Sequence, residues 1–141
     1  MGIERVFLAD DEATAALGAR LAAGLRPGEL VLLQGDLGVG KTTLARALIR
    51  TLAGDPNLEV PSPSFALVQP YAMAGGLVLH VDLYRVSDPR EVDELALFDR
   101  PEAIVIVEWP ERDPELMGGK SVMVTLTIPA DHKGRIAEIS R

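Results

Sequence analysis

Residues 35–42 read Gly-Asp-Leu-Gly-Val-Gly-Lys-Thr and match the spacing G-x-x-x-x-G-K-[ST]. Each fixed position has a chemical task. Glycines let a loop wrap closely enough for its backbone N–H groups to point at an anion. A lysine at that offset reaches the β- and γ-phosphates of a nucleotide, and the hydroxyl after it suits Mg²⁺. Leu37, Gly38, Val39, Gly40, Lys41, Thr42 and Thr43 are therefore the expected nucleotide-binding residues, with Thr42 also expected at the metal.

Holding a polyphosphate is not yet a reaction. Hydrolysis or transfer needs an acidic group near Mg²⁺ and something to orient the attacking oxygen. Two acids follow apolar runs: Asp82 after residues 77–81, and Glu108 after 104–107. Lys41, Asp82 and Glu108 are thus the candidate catalytic set. The residues alone leave open which acid meets the metal. His80 lies two residues before Asp82 and so shares its strand face; it reads as a structural histidine or as a base. Arg85 reads as a phosphate contact, a partner for Asp82 or a surface ion pair. Trp109, the one tryptophan, reads as a mobile gate, a partner contact or plain packing. Ser62, Ser64 and Phe65 lie among Pro61 and Pro63. In nucleotide switches a segment so placed senses the γ-phosphate; an ordinary loop is the alternative.

These side chains need a scaffold, and the pattern supplies one. Residues 30–34 are a short apolar run after Pro27-Gly28, as a buried strand would be. Beyond the loop, Leu44, Ala45, Leu48, Ile49 and Leu52 recur at helical spacing, and Gly54 can stop the helix. Upstream, residues 5–9 suggest a weak strand. Asp10 or Asp11 can cap a helix with Ala13, Leu17, Leu21 and Leu25 on one face. A strand is expected to start at 66–68, turn at Gly75-Gly76 and return over 77–81. Asp88-Pro89-Arg90-Glu91 has the form of a capped helix start, with Asp88 as N-cap, Pro89 first in the helix and Glu91 closing a capping box. The run 103–107 is wholly apolar, as a central strand covered on both faces would be. Residues 122–128 alternate as a half-exposed strand, and Gly134 turns the chain into a last strand over 136–139. The expected fold is α/β: one P-loop NTPase-like domain over 1–141, a mixed sheet of about seven strands flanked by about three helices. Ligands in such sheets bind at the carboxyl ends of parallel strands.

Bulk composition narrows the classes. The chain has 141 residues, 48% hydrophobic and 25% charged, with a net charge of −7 and no cysteine. Disulfides, thiolate metal sites and a cysteine nucleophile are excluded. No apolar run is long enough to span a membrane, and no signal-peptide pattern opens the chain. A cytoplasmic location without membrane association is the expectation. Binding nucleic acid directly needs a basic surface, whereas the longest basic cluster is His132-Lys133 with Arg135.

Four strings stand in order: 35–43, Ser-Pro-Ser-Phe at 62–65, His-Val-Asp-Leu-Tyr-Arg at 80–85 and Glu-Trp-Pro-Glu at 108–111. Together they resemble the TsaE (YjeE) family, the bacterial ATPase of tRNA threonylcarbamoyladenosine biosynthesis, from about Asp11 to Glu111. The resemblance implies ATP and Mg²⁺ as cofactors. It implies two larger partners of actin-like fold: the threonylcarbamoyl transferase subunit acting on adenosine 37 of tRNA, and its non-catalytic paralogue. ATP turnover would reset that complex, and tRNA would be met only indirectly. By motif position, Lys41 and Thr42 would bind phosphate and metal, Glu108 would be the second Mg²⁺ ligand, and Asp82 would orient water or the metal's hydration shell. Ser62, Ser64 and Phe65 would form the switch segment, Arg85 would lie at the switch or partner side, and Trp109 would be a nucleotide-sensitive contact. Asp11 and a residue near His132, with His132 itself as the candidate, would flank the adenine. Ser64 departs from the family's usual threonine, keeping the hydroxyl but losing a methyl that stiffens χ1.

Three other readings share the loop. A small-molecule kinase needs an acceptor pocket and an arginine-rich lid, and no such lid is visible. A GTPase needs an Asn-Lys-x-Asp reader, yet Asn57 is followed by Leu58. A non-catalytic nucleotide-binding adaptor has no use for Asp82 and Glu108.

Overall fold

The computed structural model describes residues 2–63, 67–120 and 122–141. Seven strands form one sheet: β1 (Ile3–Leu8), β2 (Leu30–Gln34), β3 (Val68–Met73), β4 (Gly76–Asp82), β5 (Ile104–Glu108), β6 (Val122–Thr127) and β7 (Arg135–Ser140). Their spatial order is β1-β7-β6-β2-β5-β4-β3. β2 lies between β5 and β6 and runs parallel to both, and β4 runs parallel to β5. The remaining pairings, β1–β7, β6–β7 and β3–β4, are antiparallel. The sheet is mixed, as the two hairpin patterns required.

Helices α1 (Asp11–Ala23) and α2 (Lys41–Ala53) cover one face. Leu17 and Leu21 of α1 and Leu44, Leu48 and Ile49 of α2 are buried against Val31, Leu33, Val78, Ile104, Ile106 and Val124. Truncating one of these leucines to alanine costs about 2–5 kcal/mol. The opposite face of the β2-β5-β4 sector is covered by Leu83, Val86, Val92, Leu97 and Leu116, packed on Leu30, Leu32, Val81, Val105 and Val107. β5 is therefore buried at all five positions, which explains why its sequence does not alternate.

The local signals have identifiable physical outcomes. Asp10 caps α1, its carboxylate accepting from the Ala13 N–H at 2.9 Å. The first strand begins two residues earlier than the apolar pattern suggests, because pairing with β7 carries it to Ile3. Ile128 lies beyond β6 and is exposed. The third helix, α3 (Arg90–Asp93), is a single turn. The capping box expected there does not form. Asp88 accepts from the Arg90 N–H at 3.0 Å, but Glu91 accepts from the Ser87 hydroxyl at 3.3 Å instead of reaching back to the Asp88 backbone. Soon after, Ala96 takes a left-handed φ of 53° that a helix cannot continue through. The expected strand start at Ala66 lies outside the described residues, and β3 is paired from Val68.

This topology carries the chemistry to one edge. β2, β4 and β5 end side by side, with Leu33 opposite Glu108 and Asp82 opposite Glu108. The glycine-rich loop leaves β2 at that level.

Candidate functional site: the phosphate-loop cleft

The loop runs from β2 straight into α2. Gly40 precedes the helix with φ 109°, and no side chain caps that end. The first-turn N–H groups are thus left for an external acceptor, at the positive end of the helix dipole. A cleft of about 380 Å³ opens there, and Gly38, Lys41, Thr42, Ser62, Asp82 and Glu108 contribute to its wall together with Leu37, Gly40, Thr43, Tyr84 and Trp109. Four segments far apart in sequence thus meet around one cavity.

Lys41 is 5% exposed. Its ammonium donates to the Gly35 carbonyl, and to that of Asp36 at 3.0 Å. It also lies 3.8 Å from the centre of the Trp109 ring, in a cation–π contact. Burial holds its pKa below the usual lysine value, partly offset by Glu108, Glu111, Asp82 and Asp36. A phosphate entering the cleft supplies the counter-charge that backbone carbonyls and an indole supply only in part.

The two acids differ in their surroundings. Glu108, 2% exposed, has both oxygens engaged: Oε1 accepts from the Thr42 hydroxyl at 2.8 Å, and Oε2 lies 2.7 Å from His80 Nε2. Asp82 accepts from the Tyr84 N–H at 2.9 Å and from the Ser62 hydroxyl at 3.2 Å. The switch-side serine is therefore tied to one acid and the loop threonine to the other. No cluster of three or more His, Cys, Asp or Glu side chains suited to a metal occurs among the described residues. A hydroxyl bonded to a carboxylate, with a second carboxylate on the neighbouring strand, fits Mg²⁺. That ion commonly takes few protein ligands and completes its shell with phosphate oxygens and water.

The other expected site residues fall as follows. Trp109 has a left-handed φ of 60° and packs on Tyr84 with ring centroids 4.9 Å apart. Arg85 is exposed on the loop after β4, and its neighbour Tyr84 is the one lining the cleft. Ser64 and Phe65 lie outside the described residues. Asp11 lines a smaller adjoining cleft of about 220 Å³ with Thr14, Gly38, Thr43, Gly134 and Arg135. His132, placed with it from the motif order, lines neither cleft. It is exposed on a turn with φ 59°, and the chain reaches the loop only as β7 begins. Arg135 is the residue delivered there, donating to the Val39 carbonyl at 3.1 Å and the Gly38 carbonyl at 3.4 Å. The sequence offered Arg135 only as part of a basic cluster and Tyr84 only within the 80–85 string; pairing of Arg135 with Leu8 and the left-handed turn at Trp109 accompany their placement at the site. A larger groove of about 570 Å³ lies along α2. Its arginines Arg46 and Arg50 donate through Nε to the Val60 and Leu58 carbonyls, bracing the loop after α2.

Fold and cleft together define a P-loop-like α/β protein, with the loop lysine, a hydroxyl and two strand-end carboxylates facing one cavity. A crystal structure of Bacillus subtilis YdiB has the same fold: TM-score 0.74, covering 99% of this chain and 86% of that one, at 21% identity. The family model described as threonylcarbamoyl adenosine biosynthesis protein TsaE matches residues 8–137. Proteins named tRNA threonylcarbamoyladenosine biosynthesis protein TsaE are similar over most of their length. That of Rickettsia bellii is 35% identical over 92% of this chain and 90% of its own. That of a Nostoc species is 38% identical over 96% and 85%. The chain belongs to the TsaE family.

Proposed function

We propose that this chain is a Mg²⁺-dependent ATPase that supports N6-threonylcarbamoylation of adenosine 37 in tRNA by driving turnover of a transferase complex. The observation that carries the reading is the convergence of Lys41, Thr42, Asp82 and Glu108 on one cleft at the carboxyl ends of β2, β4 and β5. Membership of a family whose relatives are named for that biosynthesis supplies the pathway.

In this mechanism the loop N–H groups and Lys41 hold the β- and γ-phosphates. Lys41 leaves its backbone carbonyls for phosphate oxygens, and its charge stabilises the transition state as the bridging oxygen gains charge. Thr42 and Glu108 would hold Mg²⁺, whose positive charge would offset the charge that develops on the phosphate oxygens. Asp82 orients a water for in-line attack on the γ-phosphorus. The new P–O bond forms as the bond to the β-phosphate oxygen breaks, leaving ADP and inorganic phosphate. The hydrogen bond from Ser62 to Asp82 ties Ser62 to the water-orienting group, so phosphate loss would be reported to a partner through Ser62.

The partners in this reading are the transferase subunit and its non-catalytic paralogue. A net charge of −7 supports contact with tRNA through them rather than through this chain. A cytoplasmic role is part of the proposal; no helix among the described residues is long and apolar enough to cross a membrane. Phosphate release is the direct test, measured with ATP and Mg²⁺, with and without the two partners. Slow release alone, acceleration by partners and loss in Lys41→Ala are expected. ATP binding without phosphate release, even with partners present, would make the chain a nucleotide-binding adaptor.

A further inference from the structure

We infer that His80 is a positioning residue for Glu108: it clamps one carboxylate oxygen so that the other stays directed at Thr42 and the metal position. The inference rests on the reading of Glu108 as the acid serving Mg²⁺.

His80 has 0% exposure and sits on β4, between the edge strand β3 and β5. β4 and β5 run parallel, with His80 opposite Ile106 and Asp82 opposite Glu108. Glu108 is therefore two residues on from the histidine's own partner, on the same sheet face. The imidazole spans that offset, and its Nε2 lies 2.7 Å from Oε2. Its other nitrogen, Nδ1, is buried and has no partner among the described residues. Buried polar atoms are nearly always hydrogen-bonded, so a histidine here carries the penalty of one unmade bond. A core needing only volume would use a leucine. Among the described residues, the polar contact that accounts for the histidine is the one with Glu108.

An unclamped glutamate at a strand end can rotate about three χ angles. With Oε2 held by His80, Oε1 accepts the Thr42 proton at 2.8 Å. A hydroxyl that donates its proton to a carboxylate keeps its lone pairs for another partner. The clamp thus leaves the Thr42 oxygen's lone pairs free for a cation and keeps Glu108 placed to hold the same ion. It also fixes the tautomer: a neutral imidazole must carry its proton on Nε2.

The tautomer is read in the wild-type protein by nitrogen-15 NMR of the imidazole rings, with two histidines in the chain. The buried ring should carry its proton on Nε2 and change its Nε2 resonance in Glu108→Gln. A proton on Nδ1 alone would overturn the clamp. The second readout is ADP affinity with Mg²⁺ divided by affinity without it, beside a thermal melt. His80→Leu should lower that ratio by about tenfold or more, the usual range for losing a residue that supports a metal ligand, while metal-free ADP binding stays near wild type. His80→Gln, which offers an N–H at a similar reach, should restore most of the ratio. Equal ratios in wild type and a folded His80→Leu would overturn the proposal, as would a folded His80→Gln that does no better than His80→Leu. A wild-type protein whose ADP affinity ignores Mg²⁺ would overturn the metal role itself, whatever the NMR shows of the His80–Glu108 bond.

Discussion

Two of the three positive-φ glycines in the phosphate loop, Gly35 and Gly38, fail differently when substituted. Gly38 has φ 75° and open space where a Cβ would stand. Alanine there meets only left-handed strain of about 1–2 kcal/mol, partly offset by about 0.4–1 kcal/mol from a less flexible unfolded chain. Gly38→Ala should therefore destabilise by about 1 kcal/mol. Gly35 has φ 152°, and its Cβ would stand 2.6 Å from the Leu126 carbonyl oxygen and 2.8 Å from Val39 Cγ1. The first contact is backbone of β6, which cannot move without disturbing its pairing with β2 and β7. The second is a buried side chain inside the loop. Overpacking of this kind adds about 1–3 kcal/mol, bringing Gly35→Ala to about 3 kcal/mol. Urea unfolding of the nucleotide-free variants measures both. Titration calorimetry with ADP should show weaker binding in Gly35→Ala, although Gly35 does not line the cleft. If Gly35→Ala were no less stable than Gly38→Ala, the packing of the loop against β6 would be wrong.

Three further outcomes are expected. The Tyr71 hydroxyl is buried with no partner among the described residues, so Tyr71→Phe should gain about 1 kcal/mol in urea unfolding at pH near 8. Burial also holds the Tyr71 pKa above its usual 10.0. The tyrosine's contribution is therefore complete below that pH and declines as pH rises from there through the raised value, a decline the phenylalanine variant should lack. Arg135→Ala removes donors to the Val39 and Gly38 carbonyls; calorimetry should show weaker ADP binding with a stability loss of about 1 kcal/mol. Asp82→Asn should retain ADP binding in calorimetry but lose phosphate release by about two orders of magnitude in a partner-stimulated assay, the scale of a misplaced attacking group.

The parts of the site legible in the sequence are those carried by contiguous spacing. The loop at 35–42 declares itself because successive residues do the binding, and Asp82 and Glu108 stand out because each ends an apolar run. The doubly buried β5 is legible for the same reason: five consecutive apolar positions admit few structures. Contacts set by register are not legible. Nothing near His80 in the chain names Glu108 as its partner; parallel pairing of β4 with β5 does. Arg135 reaches the loop because an antiparallel hairpin returns it there, and the basic cluster at 132–135 could not say which member would arrive. Local propensity misled at Asp88-Pro89-Arg90-Glu91, where a good helix start yields one turn because Val92 and Leu97 are drawn into the core on either side of Ala96.

ATP turnover in this cleft is proposed to drive repeated rounds of tRNA modification. Its most direct measurement is threonylcarbamoyladenosine formed per transferase complex in a reconstituted reaction, with wild-type chain, with Lys41→Ala, and with neither. Multiple rounds with the wild type, and no more than about one round with Lys41→Ala or without the chain, are the expected result. Equal yields in all three reactions would contradict it.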